Sequence, residues 1–106
     1  MKKIFGCFYF KVTNSGNLIG EFTNKHIANI RCENAIVIKN ENELFVGNYF
    51  SNWNEGDGIS ELYIIEISKQ GFKYNIVWRK KTDNIIFYRG EGFMVDNILI
   101  GMYHSE

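Results

Sequence analysis

Apolar and polar residues alternate along most of this chain with the two-residue period of β-strands, and no segment has a clear helical period. Successive strand residues point to opposite faces, so such alternation indicates strands with one buried face. The clearest case is the run whose apolar members are Phe72, Tyr74, Ile76 and Trp78. The whole pattern predicts eight strands, at Lys3–Val12, Asn17–Thr23, Ala35–Lys39, Glu43–Phe50, Glu61–Ser68, Phe72–Arg79, Asn84–Val95 and Ile98–His104.

Three of these segments contain the same short motif, in which two apolar residues are followed by glycine, any residue and an aromatic residue. The motif occupies Leu18–Phe22, Phe45–Tyr49 and Leu99–Tyr103. A strand glycine marks a bend or a close backbone approach, and regularly spaced bends curl a sheet into a barrel. Short turns between the strands favour antiparallel neighbours. We therefore predict an all-β fold, a single eight-stranded antiparallel up-and-down β-barrel over residues 1–106.

Two longer connections interrupt this pattern. The first, Asn24–Asn34, has room for a short helical turn near His26, and the second, Ser51–Ser60, is polar and contains Trp53. The pattern does not show which face of strands 61–68 and 84–95 points inward, because both faces of each strand contain apolar residues.

Several strands resemble those of the calycins, the grouping of lipocalins, fatty-acid-binding proteins and avidins. Leu18–Thr23 and Phe45–Ser51 are similar to paired avidin strands that end in glycine, any residue and tyrosine. Tyr74–Lys80 and Phe87–Gly92 resemble the avidin tryptophan strand and the strand after it. The resemblance spans most of the chain and implies a calycin-like meander, with an additional strand at Glu61–Ser68.

Composition narrows the choice of partners. With 106 residues, 45% of them hydrophobic and 16% aromatic, the chain is large enough for one packed core. Twelve basic and twelve acidic residues cancel, which argues against nucleic acid or an anionic membrane as a partner. The apolar run Ile4–Phe10 is read as the first strand and not as a secretion signal, because only seven residues separate Lys3 from Lys11. We expect a cytoplasmic protein with Cys7 and Cys32 as free thiols, a disulfide between them being the alternative.

Aromatic residues supply the main candidates for binding. An aromatic-lined barrel mouth would suit a small organic ligand, whereas core packing is the competing interpretation and is favoured for Tyr74 and Trp78. Trp53, in a polar loop, suits a lid or a contact with a partner protein. The candidate ligand-binding residues are Tyr49, Ser51, Trp53, Tyr74, Trp78, Tyr88, Arg89 and Glu91.

Catalytic and metal-binding chemistry are weaker interpretations. Cys32 and His26 lack a recognisable third group, so we favour a structural cysteine. Arg89 and Glu91 would form an acid–base pair if they faced inward and an ordinary surface pair if they faced outward. The carboxylates Glu55, Asp57 and Glu61 do not have the spacing of a calcium loop and are interpreted as a solvated acidic loop.

The leading functional hypothesis is a non-enzymatic, small-ligand-binding barrel without cofactor or metal. The alternative is a protein-interaction or inhibitor module that uses the Trp53 loop, and an enzyme is the third choice. Exposed apolar strand faces leave room for a homodimer.

Overall fold

Eight strands pair in chain order and close on themselves through β8 and β1. The computed structural model describes residues 3–54 and 60–106, and it describes only the backbone of residues 52–54 and 60–61. Every neighbouring pair is antiparallel, so the predicted up-and-down barrel is confirmed. Within the described ranges there is no apolar helix of membrane-spanning length. The strands are β1 (Phe5–Val12), β2 (Leu18–Asn24), β3 (Arg31–Asn40), β4 (Gly47–Asn54), β5 (Ser60–Gln70), β6 (Lys73–Lys80), β7 (Ile86–Val95) and β8 (Ile98–Ser105).

Strand β3 begins four residues earlier than predicted, at Arg31 instead of Ala35. Arg31 pairs with Phe22 and Cys32 pairs with Glu21, so the ladder with β2 continues through this polar stretch. The prediction failed here because residues 31–34 lack the β-branched and aromatic side chains that mark strands. The connection between β2 and β3 is therefore short, and it contains a turn at residues 25–26 instead of a helical turn.

The structure also settles the faces that alternation left open. In β5 the inward residues are Tyr63, Ile65 and Ile67, all buried. In β7 the inward face carries Tyr88 and two buried glycines, which explains why a hydrophobic pattern could not identify it. The prediction that Phe72 faces inward was wrong. It lies in the turn before β6 and is 95% exposed, because the tight turn at Gly71 (φ 65°) precedes it.

The glycines of the repeated motif allow close approach between strands. Gly101 pairs with Phe8 on β1 and with Gly92 on β7, and the aromatic residue two positions later, Tyr103, shares its inward face. A methyl group at Gly101 would overlap the carbonyl oxygen of Glu91 and lie 2.8 Å from Cζ of Phe8. The motif therefore places an aromatic ring beside a backbone that has no room for a side chain.

We expect Gly101→Ala to lower the free energy of unfolding by about 2 kcal/mol, since the added methyl group forces two neighbouring strands apart. Met102→Ala, at the adjacent and 69% exposed position, is the matched control and should cost less than about 0.5 kcal/mol. Urea denaturation of both variants measures the difference. Equal losses would contradict the packing role of Gly101.

The two ends of the barrel differ. The turns that join β1 to β2, β3 to β4, β5 to β6 and β7 to β8 lie at one end, which is filled by buried side chains. There the Tyr49 hydroxyl donates a hydrogen bond of 2.8 Å to the carbonyl of Phe45, and Phe45 packs edge-on against Tyr74 with 6.2 Å between ring centroids. The beginning of β1, the end of β8 and the connections from β2 to β3 and from β6 to β7 lie at the other end.

Candidate functional site

A cavity of about 110 Å³ lies inside the barrel at the end where β1 begins and β8 ends. Its walls come from β1, β2, β3, β6, β7 and β8 and from the β2–β3 connection, because inward residues of antiparallel neighbours meet at the same depth. The aromatic part of the wall consists of Phe8, Phe22, Trp78, Tyr88 and Tyr103.

The aromatic rings of the wall support one another. Trp78 packs on Phe8 with 5.6 Å between centroids and on Tyr103 with 6.0 Å. Tyr103 in turn meets Tyr88 and Phe22 edge-on, at 5.7 and 6.3 Å. Because Trp78 and Tyr103 each contact two or more of the other rings, the wall is one connected aromatic cluster. Edge-to-face ring pairs stabilise the folded state beyond the burial of their apolar surface.

One carboxylate, Glu33 of β3, lies at the inner side of this cavity and is only 3% exposed. Its Oε2 accepts a hydrogen bond of 2.5 Å from Oγ of Ser51 and one of 3.0 Å from Nε1 of Trp78. Burial raises the pKa of Glu33 to about 7, although both hydrogen bonds favour the charged form and act to lower it. Glu33 therefore changes charge near neutral pH.

Polar groups form the outer part of the cavity, toward its opening. Asn24 donates from Nδ2 to the Tyr103 hydroxyl at 2.9 Å, and its Oδ1 accepts from the backbone N–H of His26 at 2.9 Å. Burial is the main cause of a raised pKa at Tyr103, so its phenol stays neutral. Arg31 and His26 also line the cavity, and Arg31 lies two residues nearer the barrel end than Glu33 on the same face of β3.

The structure brings three of the predicted binding residues together. Trp78 and Tyr88 line the cavity, and Ser51 holds Glu33 from the neighbouring strand. Tyr49 and Tyr74 are buried in the packed end of the barrel instead, as the core interpretation of Tyr74 predicts.

Arg89 and Glu91 do not enter the cavity. Both lie on the outer face of β7, where Arg89 pairs with Glu106 and Glu91 pairs with Lys73 at 2.7 Å between Nζ and Oε2. The hydrogen bond from Lys73 lowers the pKa of Glu91. The outward alternative applies, so this pair is corrected from a candidate for the barrel interior to two surface ion pairs.

The backbone of Trp53 is part of β4, where Trp53 pairs with Glu61 of β5. Its side chain lies outside the described residues, and so do Glu55, Asp57 and the side chain of Glu61 from the proposed acidic loop.

Cys32 is exposed on the outer face of β3, whereas His26, in the β2–β3 connection, lines the cavity, so this candidate pair lies on opposite sides of the barrel wall. Cys7 and Cys32 are both free thiols, as predicted.

Sequence reasoning missed Glu33, the central polar group of the cavity. It was assigned to a connection because the prediction started β3 at Ala35. Continuing the two-residue period backwards from Ala35 would have placed Glu33 and Arg31 on the same inward face. A glutamate on the inward face of a barrel strand is the signal that points to a polar interior site.

The comparisons with known proteins leave the family open. No protein-family model matches the chain, and neither a curated protein nor a solved structure matches it. The closed antiparallel meander agrees with a calycin-like fold at this coarse level.

Proposed function

We propose that this protein is a non-enzymatic barrel that binds a small organic ligand in the cavity around Glu33. The observation that carries the proposal is the contrast between the two barrel ends. Side chains usually fill the interior of an eight-stranded barrel, or the interior holds one small ligand. Here one end is packed, while the other combines aromatic walls with a few polar groups, the usual make-up of a ligand pocket.

The size of the cavity indicates the size of the ligand. A dry cavity of about 150 Å³ accepts benzene. At about 110 Å³ the cavity of this barrel suits a slightly smaller molecule, or part of a larger one that extends through the opening. The resemblance to avidins and lipocalins also favours ligand binding inside the barrel, without identifying the ligand.

Binding is favoured over catalysis by the groups that surround the cavity. Both hydrogen bonds to Glu33 come from neutral side chains that orient it, Ser51 and Trp78. The described cavity lining contains no cysteine, serine or lysine that Glu33 or His26 would activate as a nucleophile.

Native mass spectrometry of the protein purified gently from its own host tests this function. We expect an added mass of a few hundred daltons or less, which is lost at least tenfold in Ile27→Trp. Ile27 is a half-buried residue of the β2–β3 connection that lines the cavity, so an indole there blocks the space. Ile30→Trp is the matched control, because Ile30 lies in the same connection but is 65% exposed and does not line the cavity.

Retention of the same small molecule by Ile27→Trp would place the ligand elsewhere and contradict the proposal. Protein-sized additions alone would favour an interaction module, with the segment around Trp53 as the region to mutate next.

A further inference from the structure

We propose that the ligand of this cavity is a small organic ammonium compound whose positive group contacts Glu33. The inference rests on the proposed binding function and adds the chemical class of the ligand. Three observations support it: one oxygen of the buried carboxylate accepts no hydrogen bond from a described side chain, aromatic rings lie beside it, and the basic residues lie farther out.

The carboxylate of Glu33 is held from one side. Ser51 and Trp78 both donate to Oε2. Among residues whose side chains are described, none donates to Oε1, and Glu33 lines the cavity. Since Trp78 Nε1 is only a donor, Oε2 remains an acceptor in either protonation state, and Oε1 is the oxygen available to a ligand. A ligand N–H group directed at Oε1 would complete the hydrogen bonding of the charged carboxylate.

The rings around Glu33 also favour a cation. Trp78 donates to the carboxylate and packs against Phe8 and Tyr103, so the group that meets Glu33 is surrounded by aromatic rings. Ring faces attract ammonium groups, and aromatic cages are a general solution for binding methylated ammonium ligands. An anion would meet repulsion from Glu33 and no favourable ring face at this depth.

The basic residues of the cavity limit where the positive group can lie. Arg31 begins β3 and His26 lies in the β2–β3 turn, so both belong to the outer part of the cavity. Tyr88 and Tyr103 are the other titratable side chains of its lining. An ammonium group is therefore expected at the depth of Glu33, beside the carboxylate, and not at the opening, where the basic residues lie.

Calorimetric titration with two probes of nearly the same shape, tert-butylammonium and tert-butanol, tests this inference. At pH 8 we expect wild-type protein freed of any retained ligand to bind tert-butylammonium at least tenfold more tightly than tert-butanol. Glu33→Gln should reduce this preference to less than twofold. Glu91→Gln, which removes a carboxylate from the outer face, should leave the preference unchanged.

The wild-type comparison needs no variant and remains decisive if Glu33→Gln fails to fold. Equal affinity for the two probes would overturn the ammonium inference while leaving the cavity as a binding site. A preference for the ammonium probe that persists in folded Glu33→Gln would also overturn it. If neither probe binds, the inference fails, and the retained mass measured by native mass spectrometry decides separately whether the proposed function fails as well.

Discussion

Raising the pH from 4.5 to 7 is expected to lower the stability of the wild-type protein by about 3 kcal/mol relative to Glu33→Gln. Burial raises the pKa of Glu33 from 4.5 to about 7, so the folded protein binds a proton more tightly than the unfolded chain does. Between these values the folded state holds more protons, and its stability falls as the pH rises. The contribution is complete below pH 4.5 and is lost by about pH 7.

Urea denaturation of wild type and Glu33→Gln across this pH range measures the difference between their free energies of unfolding. The contributions of the other carboxylates are common to both proteins and cancel in this difference. The surface carboxylates Glu91 and Glu106 have pKa values lowered by Lys73 and Arg89, so their effect has the opposite sign and appears at lower pH. Glu91→Gln is the matched control and should follow wild type between pH 4.5 and 7. A constant difference between wild type and Glu33→Gln would show that Glu33 does not titrate in this range.

Trp78→Ala is expected to lower the free energy of unfolding by about 3–5 kcal/mol. The indole is 3% exposed, packs against Phe8 and Tyr103, and donates to the buried Glu33. Its removal enlarges the cavity, and the buried carboxyl group of Glu33 loses one of its two hydrogen bonds. Both effects destabilise the folded state. Equilibrium denaturation by urea at pH 6 gives the value.

Two further variants separate these contributions. Trp78→Phe retains most of the ring contacts but lacks the Nε1 donor, so it should lose less stability than Trp78→Ala while raising the pKa of Glu33 further. Phe72→Ala removes an aromatic ring that is 95% exposed and should change stability by less than about 0.5 kcal/mol. Similar losses of stability from Phe72→Ala and Trp78→Ala would contradict the exposure of Phe72 and the burial of Trp78.

The barrel could be predicted from sequence because its information is local. Alternation identified eight strands, and the glycine in each repeated motif indicated where neighbouring backbones approach closely. At Gly101 the structure confirms this reason, since Glu91 and Phe8 occupy the space of a side chain. Phe72 was misassigned because the two-residue period was continued through a turn, where the chain reverses and the rule no longer applies.

The cavity was harder to predict because its residues are distant in sequence. Glu33 contacts Ser51 and Trp78, which are 18 and 45 residues away, and these contacts exist only after the barrel has closed. A polar inward residue also weakens the hydrophobic pattern of its own strand. The residue with the most informative chemistry was therefore the one that alternation assigned to a loop. Arg89 and Glu91 were named as candidate ligand-binding residues with their direction left open, and the structure places both on the outer face of β7.

A crystal structure of the protein purified from its own host, without added ligand, would show whether the barrel interior holds a small molecule. We expect electron density for a small organic molecule between Phe8, Trp78 and Tyr103, with a nitrogen within hydrogen-bonding distance of Oε1 of Glu33. A cavity filled only by water or by rearranged side chains, in crystals of protein whose native mass spectrum shows a retained molecule, would contradict this expectation. Such a result would place the ligand of this barrel outside its interior.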